Sequence, residues 1–421
     1  MLALPPWLDY PNTLGYTCGM HGARRIPARN WFHPLILRLN ANRGGDCNDM
    51  HRIGIMIFLH VYYRKMYFMD MRELRERIDG VDDEILDLLA KRQELASRIG
   101  EMKRRQGIPI YDAERERSIL SRLRGLNGDR LAQDAVRAIW REIFSASRQA
   151  QTPLRVAFLG PEGTFTQQAA MTRFGSSAEL MASQTIAAAF SWVEKKVVDY
   201  AVLPVENTLQ GVVGETVDLL GAARKPLIVG EIVIPIHFVF SSKRDRLEDV
   251  KTVYSKREAF LQCSAFLNQP SLAQAVRKDA TSTAEAVRLA AEDPEGGALS
   301  AEIAASQTGV PILYRHVENN AKNKTKFLVL GHDAPPPGRD DKTSVFARVP
   351  NVSGGLEALL SAFRRAGVNL TKIESRPMYD AVNFETWFYI DFDGRMDDLG
   401  DTEEMRKFDL VWLGSYRKFK E

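Results

Sequence analysis

From Met71 onward, Ile78, Val81, Ile85, Leu88 and Leu89 recur at three- and four-residue steps, which predicts one long amphipathic helix. The same stripe then meets charge. Arg92 follows Ile85 by seven residues and Lys103 follows Arg92 by eleven, each within roughly 20° of one helical face. Gly107 and Pro109 end the helix, and Asp112 can cap the next. There Asp112, Arg115 and Glu116 lead into Ile119, Leu120 and Leu123, while a third helix carries Ile139, Ile143, Ser147 and Gln151 at four-residue steps. Each helix thus has polar residues on its inward face. At one position a long cation can simply reach out to solvent. Three helices doing so together predict a buried pocket, because polar groups out of water need partners. Arg92, Lys103 and Arg115 suit a small multivalent anion, such as a dicarboxylate. Arg75 lies 17 residues before Arg92 and points to another face. It could reach such a pocket only from a second chain, which predicts a helical dimer.

After the linker Gln151-Thr152-Pro153 the period changes. Leu154–Leu159 reads as a buried strand, followed by Gly160–Thr166 and a helix from Gln167. Asp199–Val205 is a second strand, ending at Glu206, Asn207 and Thr208. Strands Leu227–Pro235 and Val250–Tyr254, a helix from about Glu258, a helix opened by Ser282-Thr283-Ala284 and a short strand Ala298–Ser300 follow. Strands alternating with helices predict a mostly parallel sheet, here in two lobes with a cleft between them. Polar residues at strand ends sit at the usual ligand edge of such sheets. The stretch Ala321–Phe327 ends this segment with Thr325 between Lys324 and Lys326, at the mouth of the strand Phe327–Leu330. A hydroxyl between two ammonium groups can protonate the leaving group of an anionic substrate. A solvated turn has the same composition.

Asp333–Asp341, with three consecutive prolines, is a linker. Strand Thr343–Val349, helix Gly355–Ala366, strands Val368–Ile373 and Phe384–Phe392, a short helix around Glu403–Lys407 and strand Leu410–Leu413 make a ferredoxin-like βαββαβ order. That order alone implies no function.

Composition adds limits. With 421 residues and 45% hydrophobic content the chain can hold two to four domains. A net charge of +3 without a basic block argues against nucleic acid. No apolar run reaches the 18 residues of a membrane span, so the protein is expected to be soluble. Residues 1–70 stand apart: they hold four of the seven histidines and two of the three cysteines, yet no Ser, Glu or Gln. They fit neither a transit peptide nor a zinc pattern. The segment is expected to be a non-native or disordered leader before a true start at Met66, Met69 or Met71. Cys263, the remaining cysteine, suits a reducing cytoplasm.

Three family resemblances run through these segments. Arg75, Arg92, Lys103, Asp112, Arg115, Glu116, Ser147 and Gln151 are similar to the active-site set of the all-helical chorismate mutases. The resemblance implies that residues 71–151 rearrange chorismate to prephenate in a dimer of interlocked helices, with Arg75 coming from the partner chain. It further implies that Lys103 and Gln151 contact the ether oxygen, that Glu116 is protonated or hydrogen-bonded nearby, and that the arginines clamp carboxylates. Such a rearrangement needs a folded substrate and donors where charge grows, with no nucleophile or cofactor.

Gly160–Thr166, Val205–Thr208, Tyr254-Ser255 with Gln262-Cys263, Ser282–Ala284 and Asn323–Phe327 resemble prephenate dehydratase. That implies a two-lobed, periplasmic-binding-protein-like α/β domain over 154–332. Thr325 would be the general acid, with Thr164, Glu206, Asn207, Thr208, Ser255, Gln262, Ser282, Thr283, Asn323, Lys326 and Phe327 binding prephenate. Lys326 departs from the family's arginine, and Ser255-Lys256-Arg257-Glu258 from its Ser-His-Pro-Gln. Residues 342–421 resemble the ACT domain: Gly354, Gly355 and Leu356 with Glu374, Ser375, Arg376 and Pro377 imply a phenylalanine site between paired modules. Together these imply a cytoplasmic homodimer or larger homo-oligomer that makes phenylpyruvate from chorismate, needs no metal or organic cofactor and is inhibited by phenylalanine. An amino-acid sensor with degenerate catalytic domains, and a single-activity dehydratase with a helical dimeriser, stay open as alternatives.

Overall fold

The computed structural model describes residues 70–128, 130–222, 225–377, 386–400, 403 and 405–419. The expected leader, apart from Asp70, lies outside them. The chain divides into two compact units, one ending at Ile85 and the other starting at Leu86.

Three helices come first: α1 (Met71–Gln106), α2 (Ala113–Asn127) and α3 (Gln133–Gln151). Asp112 caps α2 by accepting a bond from Arg115 N at 2.9 Å, the role its position suggested. The apolar stripe of α1 is not buried in the single chain. Ile78 is 58%, Val81 54% and Leu88 64% exposed. By contrast α3 buries Val136, Phe144, Ser147 and Arg148.

The α/β segment runs β1 (Arg155–Leu159), α4 (Phe165–Phe174), β2 (Glu179–Ser183), α5 (Ile186–Glu194), β3 (Tyr200–Asn207), β4 (Gly211–Val212), α6 (Gly214–Ala222) and β5 (Leu227–Pro235). A second lobe holds β6 (Val239–Ser242), β7 (Thr252–Ser255), α7 (Arg257–Gln262), α8 (Ser264–Leu267), β8 (Val276–Asp279), α9 (Thr283–Glu292), β9 (Gly296–Ser300), α10 (Glu302–Thr308) and β10 (Ile312–Arg315). The chain then returns as β11 (Lys324–Gly331) to the first sheet, whose order is β2-β1-β3-β11-β5, while the second is β10-β6-β9-β7-β8. The expectation of a mostly parallel sheet needs correction. Each sheet is mixed, with β11 antiparallel to both β3 and β5, and β6 antiparallel to both β9 and β10. The cause is topological: a chain that crosses between lobes twice re-enters the first sheet from the opposite end.

Side chains alternate along β11. Phe327 and Val329 join the core under one face of the first sheet, with Phe158 and Ile232. Leu328 and Leu330 join the other face, where Phe346, Tyr389 and Tyr416 of the C-terminal segment also pack.

That segment comprises β12 (Asp341–Arg348), α11 (Gly355–Arg365), β13 (Leu370–Pro377), β14 (Thr386–Asp393) and β15 (Asp409–Arg417), in the antiparallel order β13-β14-β12-β15. These are the strands and order of a ferredoxin-like sheet. The expected helix around 403–407 is corrected to two 3-10 turns, Met396–Leu399 and Met405–Lys407. Gly394 and Gly400, both at positive φ, break the connection where a helix would have to run. Lys342 bolts this sheet to the first lobe: its ammonium lies 2.8 Å from Glu231 on β5 and 2.8 Å from Asp391 on β14. Burial opposes that charge, but Asp391 and Glu231 hold the Lys342 pKa above its ordinary value.

Candidate active sites

The residues around Thr325 converge by register. Thr325 lies directly across from Asn207, and Lys326 across from Glu206. Asn207 Nδ2 donates to Thr325 Oγ1 at 2.8 Å and to Asn323 Oδ1 at 2.9 Å. Asn323 Nδ2 in turn donates to Gln262 Oε1, from the second lobe, at 2.9 Å. Thr208 Oγ1 also donates to Asn323 Oδ1, at 3.2 Å, and accepts from Lys324 N at 3.0 Å. A chain of amides, buried at Asn323 and Asn207 and half-buried at Gln262, therefore runs from lobe to lobe and ends on the Thr325 oxygen. The hydroxyl accepts from Asn207, and among the described residues nothing takes its proton. Thr325 is thus posed as a donor, with an amide behind its oxygen to stabilise charge that builds there.

Other expected residues fall elsewhere. The pairing of β3 with β11 skips Val205. This bulge leaves Glu206 on the sheet face opposite Thr325, with Lys326. There Glu206 meets Lys326 at 3.2 Å and Lys372 of β13 at 2.8 Å. Burial disfavours its charge, yet the two ammonium groups hold its pKa below the ordinary carboxyl value. Phe327 is core. Ser255 is fully buried and gives its hydroxyl to the Leu299 carbonyl. Thr164 caps α4 and Ser282 caps α9. These two and Thr283 gather where the lobes touch: a Cβ on Gly163, at φ +85°, would lie 3.0 Å from Ala304 and 3.1 Å from Ala284.

In the helical segment, Arg92 donates to Ser147 and lies over the Phe144 ring at 5.6 Å. Glu116 pairs with Arg148, a residue the sequence reading missed. Arg148 is buried over the Tyr111 ring and also reaches the Phe174 carbonyl at 2.6 Å, which ties α3 to the first lobe. Burial raises the Glu116 pKa, with Arg148 opposing. Lys103 is held by the Pro109 and Ile110 carbonyls at 3.1 and 3.0 Å. One turn earlier, Gly100 admits Gln151, since a Cβ there would stand 2.5 Å from its Cγ. Gln151 Oε1 is buried with no partner among the described residues. Arg115 is exposed, as is Arg75 in the first unit. Arg92 on α1 and Glu116 on α2 are thus each joined to α3, through Ser147 and Arg148, and Gln151 of α3 packs on Gly100, with cations and one carboxyl held by partners that a bound anion could replace.

In the C-terminal segment, Gly354 starts α11 at φ +80°. A Cβ on Gly355 would strike the Pro350 carbonyl at 2.5 Å. Along β13, Glu374 is half-buried, Ser375 exposed, and Arg376 makes a bidentate pair with Asp218 of α6 at 2.7 and 2.6 Å.

Residues 74–152 match the family model for chorismate mutase type II, and residues 156–335 that for prephenate dehydratase. A bifunctional chorismate mutase/prephenate dehydratase of Aquifex aeolicus is 40% identical over 83% of this chain and 98% of its own. The chain belongs to this family. The bifunctional enzyme of Neisseria gonorrhoeae is 39% identical, over 77% of this chain and 89% of its own. Among solved structures, the prephenate dehydratase of Arthrobacter aurescens in complex with L-Phe has a TM-score of 0.57 at 28% identity, over 63% of this chain and 90% of that one. As a bifunctional chorismate mutase/prephenate dehydratase, the chain is an isomerase and a carbon–oxygen lyase of phenylalanine biosynthesis. It turns chorismate into prephenate and prephenate into phenylpyruvate. No helix among the described residues is long and apolar enough to cross a membrane.

Proposed function

We propose that the two reactions run at the two clusters just described, and that residues 342–421 are an ACT module through which phenylalanine inhibits the second. In the mutase pocket Arg92 and the Arg75 of a second chain clamp the carboxylates of chorismate. Lys103, Gln151 and protonated Glu116 donate to the ether oxygen as its bond breaks. The apolar face that α1 leaves exposed supports a homodimer, because burying it requires another surface.

In the dehydratase cleft Thr325 donates to the departing hydroxyl while the carboxylate leaves as carbon dioxide and the ring aromatises. The observation that carries this reading is the bond from Asn207 to Thr325 Oγ1 at 2.8 Å, which leaves the hydroxyl proton uncommitted. Asn323, Gln262 and Thr208 hold that geometry, and Thr164, Ser282 and Thr283 border the approach. Glu206, Lys326 and Lys372 serve as a contact between the cleft's first lobe and the ACT module. Phenylalanine sits at the start of α11 and along β13, where the first-turn amides after Gly355 receive a carboxylate. The relative from Arthrobacter aurescens, solved with L-Phe, supports the ligand.

The test is a coupled assay on the full chain, following chorismate loss and phenylpyruvate gain with and without phenylalanine. Thr325→Ala should stop the second step and spare the first, and Lys103→Ala should do the reverse. If Thr325→Ala leaves phenylpyruvate formation intact, the dehydratase assignment fails.

A further inference from the structure

Two connections join the lobes of the dehydratase segment: Ile236–Phe238, between β5 and β6, and residues 316–323, between β10 and β11. They run side by side, with Val317 N bonded to Phe238 O at 3.1 Å and Ile236 N to Asn323 O at 2.9 Å. Where they meet, three side chains used by neither reaction face one another. The Glu318 side chain is 2% exposed, and its Oε2 accepts from Phe238 N at 2.9 Å. Its Oε1 turns to two imidazoles: His237 Nδ1 at 2.7 Å and His316 Nδ1 at 3.7 Å. The rings stand 4.4 Å apart, edge to face, and the ligating atoms all lie within 4.8 Å of one another. His316 also sits at φ +56°, a left-handed conformation uncommon outside glycine that persists where surroundings enforce it. It turns the ring back onto the other two groups.

We propose that this hinge binds a divalent transition ion, zinc by preference, through His237, His316 and Glu318. Two imidazoles and one carboxylate select zinc or its neighbours over magnesium or calcium, which take oxygen ligands. Bonds of about 2.0 Å in a tetrahedron place ligand atoms roughly 3.3 Å apart, between the 2.7 and 3.7 Å found here. Binding at His237 Nδ1 displaces any hydrogen held there toward Glu318: in a neutral ring that proton moves to Nε2, and in a charged ring one proton goes to solvent. Both imidazoles keep a solvent-facing side, which leaves a fourth position for water. The ion takes no part in either reaction. It ties one connection to the other and so fixes the angle between the lobes.

The experiment strips the full chain with a chelator, then titrates it with zinc by calorimetry and with cobalt(II) as an absorbing probe. Other histidines and cysteines also bind these ions, so the readout is the difference between wild type and His316→Asn. Asparagine tolerates the left-handed backbone, and an unchanged mutase rate reports an intact fold. Wild type should take up one more equivalent, with the visible cobalt bands of that equivalent lost in the variant, or bind it at least about tenfold more tightly. His237→Gln should behave alike. Equal stoichiometry and affinity in all three proteins overturns the site, and loss in one variant alone overturns the three-ligand assignment.

Discussion

The mutase helices and the dehydratase cleft take the same kind of substrate with opposite construction. The cleft is finished within one chain: Gln262, Asn323, Asn207 and Thr325 form an unbroken chain of hydrogen bonds across two lobes. The helices are unfinished, with Leu88 64% and Val81 54% exposed and Gln151 Oε1 lacking a partner among the described residues. The difference follows from the chemistry asked of each. A rearrangement needs a tight cage around a folded substrate, and helices from two chains can close around it. Expelling hydroxide with carbon dioxide needs one donor held at one place, which paired strands provide.

Separate substitutions should therefore divide the activities cleanly. Thr325→Ala removes the proposed donor, and phenylpyruvate formation from added prephenate should fall about 10²–10⁴-fold with mutase turnover unchanged. Lys103→Ala should lower chorismate consumption about 10²–10³-fold and leave prephenate turnover alone. A variant that damages both sites equally would mean one shared site. Leu88→Glu tests the unfinished side. It places a charge on the exposed stripe, so sedimentation should show monomers and mutase activity should drop about tenfold or more. The cleft should keep working in the same monomers.

Glu116 sharpens the contrast through pH. Burial raises its pKa, so the carboxyl keeps its proton above the usual range, and that proton is lost as pH climbs through the raised value. Mutase kcat/KM should fall over that window, while dehydratase turnover should not follow it. Glu116→Gln keeps an N–H donor at every pH and an oxygen for Arg148, so the decline should flatten. An unchanged profile would assign it to another group.

Helix periodicity, the cap at Asp112 and the return of Thr325 to a strand mouth were all legible in the chain, because each is set by neighbours a few residues away. The face occupied by Glu206 was not. Simple alternation along β3 from Leu203 and Val205, which pack on the Leu328 side of the sheet, would put Glu206 on the face of Thr325, whereas the bulge turns Val205 and Glu206 the same way. Arg148 was missed because its stripe position gave no hint of Glu116, 32 residues earlier. Lys372 pairs with a residue 166 positions away, and nothing local marks such a partner. The mixed sheets escaped for the same reason: strand direction depends on how often the chain crosses between lobes.

The smallest effect should come from that long-range pair. Lys372 and Arg376 lie on the same side of β13 and grip Glu206 and Asp218 of the first lobe, while Thr371, Ile373 and Ser375 alternate with them and are exposed. A ligand that shifts β13 therefore pulls on Glu206, next to the Asn207 that holds Thr325. Phenylalanine would have a direct mechanical route to the donor, provided the clamp is made. Lys372→Ala should leave uninhibited dehydratase turnover within about twofold, since partly exposed pairs add little by themselves. It should raise the phenylalanine concentration for half-inhibition about five- to tenfold, the size of an ordinary coupling energy. Acid should act the same way: Glu206 has a lowered pKa, so the clamp survives until pH drops through that value and weakens below it. Should Lys372→Ala and Arg376→Ala together leave phenylalanine inhibition as it was, the signal does not travel through β13.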